Sequence, residues 1–156
     1  GAAMERYGAD RLTIPVELNE REIRDSGVQG EMIVYGYLPM MISAQCIRKT
    51  TIGCSGKSEI MWLKDRKDMR FPVVNQCRFC YNTIYNSAPL SLLGLSEQVT
   101  GLKPNAVRLN FTVEEPAAAG EILDAVFEEY GMSEKAAEPP VLRNQFTRGH
   151  FKRGVE

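Results

Sequence analysis

The chain has one histidine in 156 residues, and it lacks H-E-x-x-H, G-x-S-x-G and any phosphate-binding glycine loop. A serine or cysteine nucleophile needs a base beside it, and a catalytic zinc usually takes histidine or carboxylate ligands with one position open. Standard protease chemistry therefore has no support in the motifs. No apolar run reaches the roughly 18 to 20 residues of a bilayer span, and the N-terminus has no basic segment leading to an apolar stretch and cleavage site. The expectation is a soluble, cytoplasmic chain with no membrane partner. A formal net charge of -1 offers no overall attraction to nucleic acid, although a neutral total can conceal a basic patch. The length suits one core, so a single domain or a piece of one is expected. Gly1, Ala2, Ala3 and Met4 read as a cloning remnant or as the point of excision from a longer protein.

Cysteine is scarce but patterned: Cys46, Cys54, Cys77 and Cys80 are the four present. In a reducing compartment four cysteines fit metal ligation better than a disulfide framework. Thiolates favour zinc or an iron-sulfur cluster, and four make a complete set for either. Spacing alone does not choose between them. The wide first pair and the segment between the pairs depart from two short zinc knuckles and lean toward a 4Fe-4S cluster. The competing readings are four unrelated buried cysteines, or a redox dithiol at Cys77 and Cys80. The dithiol reading lacks the helix start that a thioredoxin-like C-x-x-C requires, because residues 82–85 read as extended.

Strand and helix signals alternate along the chain. Residues 11–18 read as a strand running into a helix N-capped by Asn19, with Gly27 as its stop before a second strand at 32–37. Residues 60–74 read as a β-hairpin, 89–102 as a leucine-bearing helix, 106–113 as a strand and 116–131 as an amphipathic helix opening at Pro116. This order predicts an α/β fold with a parallel sheet covered on both faces. Residues 1–131 form the expected domain, 132–142 a linker rich in Ala, Glu and Pro, and 143–156 a basic, aromatic tail.

Several polar residues stand where a ligand can be met. Glu17 and Asn19 lie at the C-terminal end of a predicted strand, the edge where parallel barrels build active sites, and solvation and helix capping are their plain alternatives. Asp65 and Arg66 are a solvated turn or a polar rim facing the cysteines. Asn86 and Ser87 suit a turn or a ligand contact. Arg108, in a strand, is exposed or binds an anion bidentately. His150 is a solvent-facing residue unless the tail folds across a pocket.

The strings VELNEREI, MIVYGYLPMMISAQC, LKDR followed by FPV, CRFCYNTIYNSAPLSLL, RLNFTVEE and FTRGHFKRGVE run in one order over nearly the whole chain. They resemble the distal half of long members of the collagenase-like peptidase family U thirty-two. The resemblance implies the later strand and helix units of a parallel (β/α) TIM-like barrel, with an inserted β-hairpin and cysteine-rich loops. It also implies a missing N-terminal part of the barrel, or another chain, covering exposed sheet edges. Cys46, Cys54, Cys77 and Cys80 fall in the region that supplies cluster ligands. For relatives acting in hydroxylation, it implies a pyrimidine in structured RNA as substrate and prephenate as co-substrate.

Three functions follow as expectations. The first is a cluster-dependent RNA-modifying enzyme in which Glu17, Asp65 and Arg66 are catalytic candidates and Asn19, Asn86 and Arg108 orient substrate. In it, Arg148, Lys152 and Arg153 of the tail contact phosphate while Phe146 or Phe151 stacks on a base. The second is an atypical or metal-dependent collagenase-like peptidase. The third is a noncatalytic binding module stapled by zinc.

Overall fold

The computed structural model describes Arg6, Gly8 and residues 11–131 and 145–153. The expected linker, 132–142, lies outside the described residues, as do Arg143 and the last three residues of the tail. In chain order the elements are α1 (Glu20–Ser26), β1 (Glu31–Gly36), β2 (Pro39–Ser43), α2 (Ile47–Thr51), β3 (Ile60–Lys64) and β4 (Arg70–Gln76). A 3-10 turn at Cys77–Phe79 follows, then β5 (Tyr81–Tyr85), β6 (Leu90–Ser91), α3 (Ser96–Gly101), β7 (Ala106–Asn110) and α4 (Pro116–Glu129). The chain divides into two compact units: residues 1–36, 90–111 and 115–156 form one, and residues 37–89 with 112–114 the other. No described helix is long and apolar enough to cross a membrane.

The first unit is a mixed α/β structure whose sheet has the order β6-β1-β7. β1 runs parallel to β7, from the pair Glu31 and Ala106 to the pair Gly36 and Asn110. On the opposite edge of β1, the Glu31 amide donates to the Leu12 carbonyl at 2.7 Å and the Ile14 amide to the Glu31 carbonyl at 2.9 Å. Three successive stretches of chain thus lie side by side. The expected strand at 11–18 pairs only here, because antiparallel β6 takes the far end of the same edge through Tyr35 and Gly36.

Local chemistry explains the helices. The Asn19 side chain accepts from the Glu22 amide at 2.9 Å while the Glu22 carboxylate accepts from the Asn19 amide at 2.8 Å, a reciprocal capping box. Gly27, left-handed at φ 60°, ends α1. α4 opens with Pro116 at its first turn and buries Ile122, Ala125 and Val126. Ile122 and Val126 pack with Tyr35 and Leu93, and Leu109 and Tyr130 close the cluster.

The leucine-bearing helix expected at 89–102 is shorter than its pattern suggests. Leu90, Leu92 and Leu93 are all buried, a strand-and-core arrangement that an apolar run cannot distinguish from a buried helix. The Leu92 amide bonds the Val34 carbonyl at 2.8 Å, and Gly94 then turns the chain at φ 81°. A carboxylate oxygen of Glu129 accepts from the amides of Gly94 at 2.7 Å and Ser96 at 3.1 Å, so α4 supplies the cap for α3. The final strand stops at Asn110 rather than 113, where Glu114 draws the amides of Thr112 and Val113 into a turn.

The second unit is a four-stranded antiparallel sheet in the order β2-β5-β4-β3. It contains the expected hairpin, with Ile60 opposite Val74 and Lys64 opposite Arg70. Neither sheet closes into a barrel among the described residues.

Two glycines give opposite expectations. Gly36 sits at φ 146°, and a Cβ there would collide with the Asn110 carbonyl of the neighbouring strand, whereas Gly120 lies in α4 with open space around it. Gly36→Ala is expected to lower unfolding free energy by about 2 kcal/mol or more, from steric overlap and backbone strain. Gly120→Ala is expected to raise it by about 0.5–1 kcal/mol, through helix propensity. Urea denaturation of both variants checks the contrast.

Candidate metal centre

All four cysteines lie in the second unit, and each is placed by a different local device. β4 ends in the 3-10 turn, in which the Cys80 amide donates to the Cys77 carbonyl at 3.3 Å. Cys80 itself adopts φ 54°, the left-handed conformation that reverses the chain into β5. The C-x-x-C pair is therefore a tight knuckle between antiparallel strands, and no α-helix begins there. Cys46 occupies the N-cap of α2, where its sulfur accepts from the Lys49 amide at 3.5 Å. Cys54 lies in the loop after α2 and is exposed.

Cys77 feels the other three cysteines. Desolvation holds the Cys77 thiol above the usual thiol range, followed by the charge of Cys54 and a hydrogen bond with it, then the charges of Cys80 and Cys46. Each of the other three thus opposes ionisation of Cys77. Among the described residues no three Cys, His, Asp or Glu side chains stand in a grouping that could already hold a metal ion.

Polar groups behind the thiols fit sulfur ligands. Asn75 and Asn82 face each other across β4 and β5 and are almost wholly inaccessible, at 1% and 0% exposure. The Cys46 sulfur lies 3.7 Å from the Asn75 side-chain oxygen, and Asn82 donates through Nδ2 to the Gln45 carbonyl at 2.8 Å. The Asn82 Oδ1 atom is buried without a partner. The Cys46 thiol donates to the Asn75 oxygen, so Asn75 presents an acceptor to the sulfur. These two asparagines were not among the sequence candidates, although their polar side chains interrupt the apolar runs FPVVNQC and YNTIY. The donor set is thus four thiols with a preformed knuckle and an amide against one sulfur. It suits a four-thiolate metal or cluster.

The chain matches no family model, no curated protein and no solved structure. The site therefore has to be read from its own geometry.

The other candidates are scattered and mostly committed to the fold. Asp65 accepts from the amides of Lys67 at 2.7 Å and Met69 at 2.9 Å, closing the hairpin turn in which Arg66 is exposed. Asn86 closes a local turn onto the Ser87 amide at 2.8 Å. In the first unit, Glu17 is exposed and Asn19 is the helix cap. Arg108 donates to Glu31 at 2.7 Å, and Thr13 shares the same carboxylate oxygen at 2.7 Å. Those two donors hold the Glu31 carboxyl below its ordinary range.

The tail serves the fold more than a ligand. Arg148 is half-buried and donates to the carbonyls of Ser91 at 2.7 Å and Leu93 at 2.6 Å, with Phe146 beneath its guanidinium. Phe151 is 4% exposed, which removes it as a stacking surface. Lys152 reaches Gln98 at 3.4 Å and Glu20 at 3.9 Å, while Arg153 is exposed.

The thiol environments predict an order of alkylation in the metal-free protein. Exposed Cys54 and Cys80 should react with iodoacetamide first and buried Cys46 last. Because the Cys77 value is raised, its thiolate fraction at neutral pH is below that of an ordinary cysteine, and its rate should climb at a correspondingly higher pH. Peptide mass spectrometry across pH 7 to about 10 checks both statements.

Proposed function

We propose that the chain is the metal-bearing distal part of a collagenase-like peptidase family U thirty-two protein of the RNA-hydroxylation type. In this reading Cys46, Cys54, Cys77 and Cys80 hold one 4Fe-4S cluster. The observation that carries it is that all four cysteines lie in one small antiparallel unit, with two of them on a tight knuckle and with Cys54, Cys80 and Cys46 each acting electrostatically on Cys77. Four cysteines spread over more than thirty residues have no packing reason to meet, since Cys54 and Cys80 are exposed and contribute little to a core. Ligation of one centre supplies that reason.

The first unit is compatible with the later part of a parallel barrel. The Leu12–Ile14 segment, β1 and β7 lie side by side in chain order, and α1 follows the first as α4 follows the last. The second unit is then the insertion between two such strands. Closure of the barrel by residues outside this sequence, or by another chain, is part of the proposal.

A bound cluster supplies one-electron chemistry. The chain's own contribution is to fix the sulfurs by the Cys77–Cys80 knuckle, the Lys49 amide and the buried asparagines. The substrate in this reading is a pyrimidine of structured RNA, with prephenate as co-substrate. A zinc staple is the second reading. It is favoured by the placing of two ligands on a tight knuckle at the end of an antiparallel sheet, a common setting for structural zinc.

Anaerobic purification followed by measurement of iron, acid-labile sulfide and zinc per chain separates the readings. The cluster reading expects iron with matching sulfide and a broad visible absorption that vanishes on oxidation. Stoichiometric zinc without colour favours the staple, and cleavage of a collagen-like protein favours the peptidase. Each single Cys→Ser variant should lose most of the metal while retaining the far-ultraviolet circular dichroism of the first unit. Unchanged metal content in all four would defeat the shared site.

A further inference from the structure

The near-zero total charge hides a division between the two units. Residues 37–89 contain eight Lys and Arg against three Asp and Glu, while the whole chain has 19 against 20. The antiparallel unit is basic, and the remainder carries the compensating acid.

The faces of its sheet are unequal. Directly paired residues of an antiparallel sheet share a face, so Val73, Ile84, Asn75 and Asn82 lie together, and all four are buried. The opposite face runs through Trp62 and Lys64 of β3, Pro72 and Arg70 of β4, and Thr83 and Tyr81 of β5; Pro72 at its centre is buried and Thr83 and Tyr81 are half-buried, so only its β3 side and hairpin end stand out to solvent. Trp62 is 56% exposed there, and Lys64 and Arg70 are exposed beside it. At the knuckle end, Phe79 is 66% exposed, stacks on Tyr81 with ring centroids 6.3 Å apart, and carries Arg78 at 5.3 Å over its ring.

Exposed Ile60, Trp62 and Phe79 make more apolar surface than scattered single residues, and a ligand for it must also suit the surrounding cations. Flat π-faces interleaved with Lys and Arg match a single strand of nucleic acid, whose bases stack and whose phosphates need neutralising. A protein partner would have to bring an acidic patch to the same place. A duplex presents no free base to Trp62.

We propose that the exposed aromatic and basic side chains on this side of the unit are a docking surface for single-stranded RNA, with Trp62 and Phe79, backed by half-buried Tyr81, as stacking groups and Lys64, Arg70 and Arg78 as phosphate contacts. The surface stands on charge and exposed aromatics alone, and only the choice of RNA over DNA rests on the proposed function. It places the RNA on the unit that bears the cysteines, where the sequence reading assigned it to the C-terminal tail.

Fluorescence anisotropy of a labelled mixed-sequence single-stranded RNA of about 10 nucleotides, titrated with the full metal-loaded chain at several salt concentrations, tests it. Binding should weaken steeply with salt. Trp62→Ala should weaken it about tenfold with little change in salt slope, and Trp62→Phe should restore most of the loss. Arg70→Ala should flatten the slope by about 0.7, the signature of one lost phosphate contact on a single strand. Metal content in these variants should match the parent, which separates docking from unfolding.

Absence of binding at low salt overturns the proposal, as do Trp62→Ala and Arg70→Ala variants that bind like the parent. Equal affinity for single-stranded DNA of the same sequence overturns the RNA assignment. Self-association that Trp62→Ala abolishes, without RNA binding, overturns it in favour of a second copy. RNA binding by a protein that loads no iron would leave the docking surface standing and defeat the cluster reading. A loaded cluster without RNA binding would do the reverse.

Discussion

The opposition of three cysteines to the ionisation of Cys77 is the interaction on which the proposed metal centre depends. Ionising Cys77 is resisted by desolvation and then by Cys54, Cys80 and Cys46 in turn. Anionic sulfurs this close repel one another unless a cation lies among them, and a bound metal reverses the sign of the local electrostatics by stabilising the thiolates. The arrangement that is unfavourable for free thiolates is therefore favourable for a metal-bound set. Proton release and metal uptake become one linked event.

The consequence for stability follows from size. A unit of little more than 50 residues buries too little apolar surface to be secure alone, and domains of this scale commonly add a metal or disulfides. The edge strand β2 shows the strain on such a unit, with Met40, Met41 and Ile42 all exposed. Val73 and Ile84 supply an apolar centre, but the same buried face also carries Asn75 and Asn82. Buried amides are costly in a small core unless they are paired; Asn75 accepts from the Cys46 thiol and Asn82 donates to the Gln45 carbonyl, while Asn82 Oδ1 has no partner. In a metal-bound unit the ligation free energy is also folding free energy. In the proposed reading one centre ties together the knuckle, α2 and the β4–β5 pair.

The fold was legible in the sequence wherever the signal is local. Asn19 and Glu22 spell a capping box, Gly27 and Pro116 mark helix ends, and residues 60–74 pair as a hairpin around a polar turn. Signals that depend on distant partners were weaker. The leucines after Pro89 read as a helix because strand and buried helix share an apolar run, and the choice was made by Val34 and Gly94. β2 has no alternation, so its pairing with β5 left no trace in PMMIS. The cysteine pattern was visible, but Asn75 and Asn82 join it only when β4 and β5 pair. The basic character of residues 37–89 was hidden in a total that cancels, and the basic tail drew attention although Arg148 and Phe151 are spent on packing.

The central claim is that one metal centre is bound by all four sulfurs. Extended X-ray absorption fine structure at the metal edge of the loaded protein measures it directly, because sulfur and lighter ligands scatter at distinct distances. The account predicts a sulfur-only first shell, at about 2.3 Å for zinc, and, in the small fraction of each Cys→Ser variant that still holds metal, a shell short of one protein sulfur. A first shell containing nitrogen or oxygen, or a shell that stays unchanged when any one of the four cysteines is replaced, would contradict it.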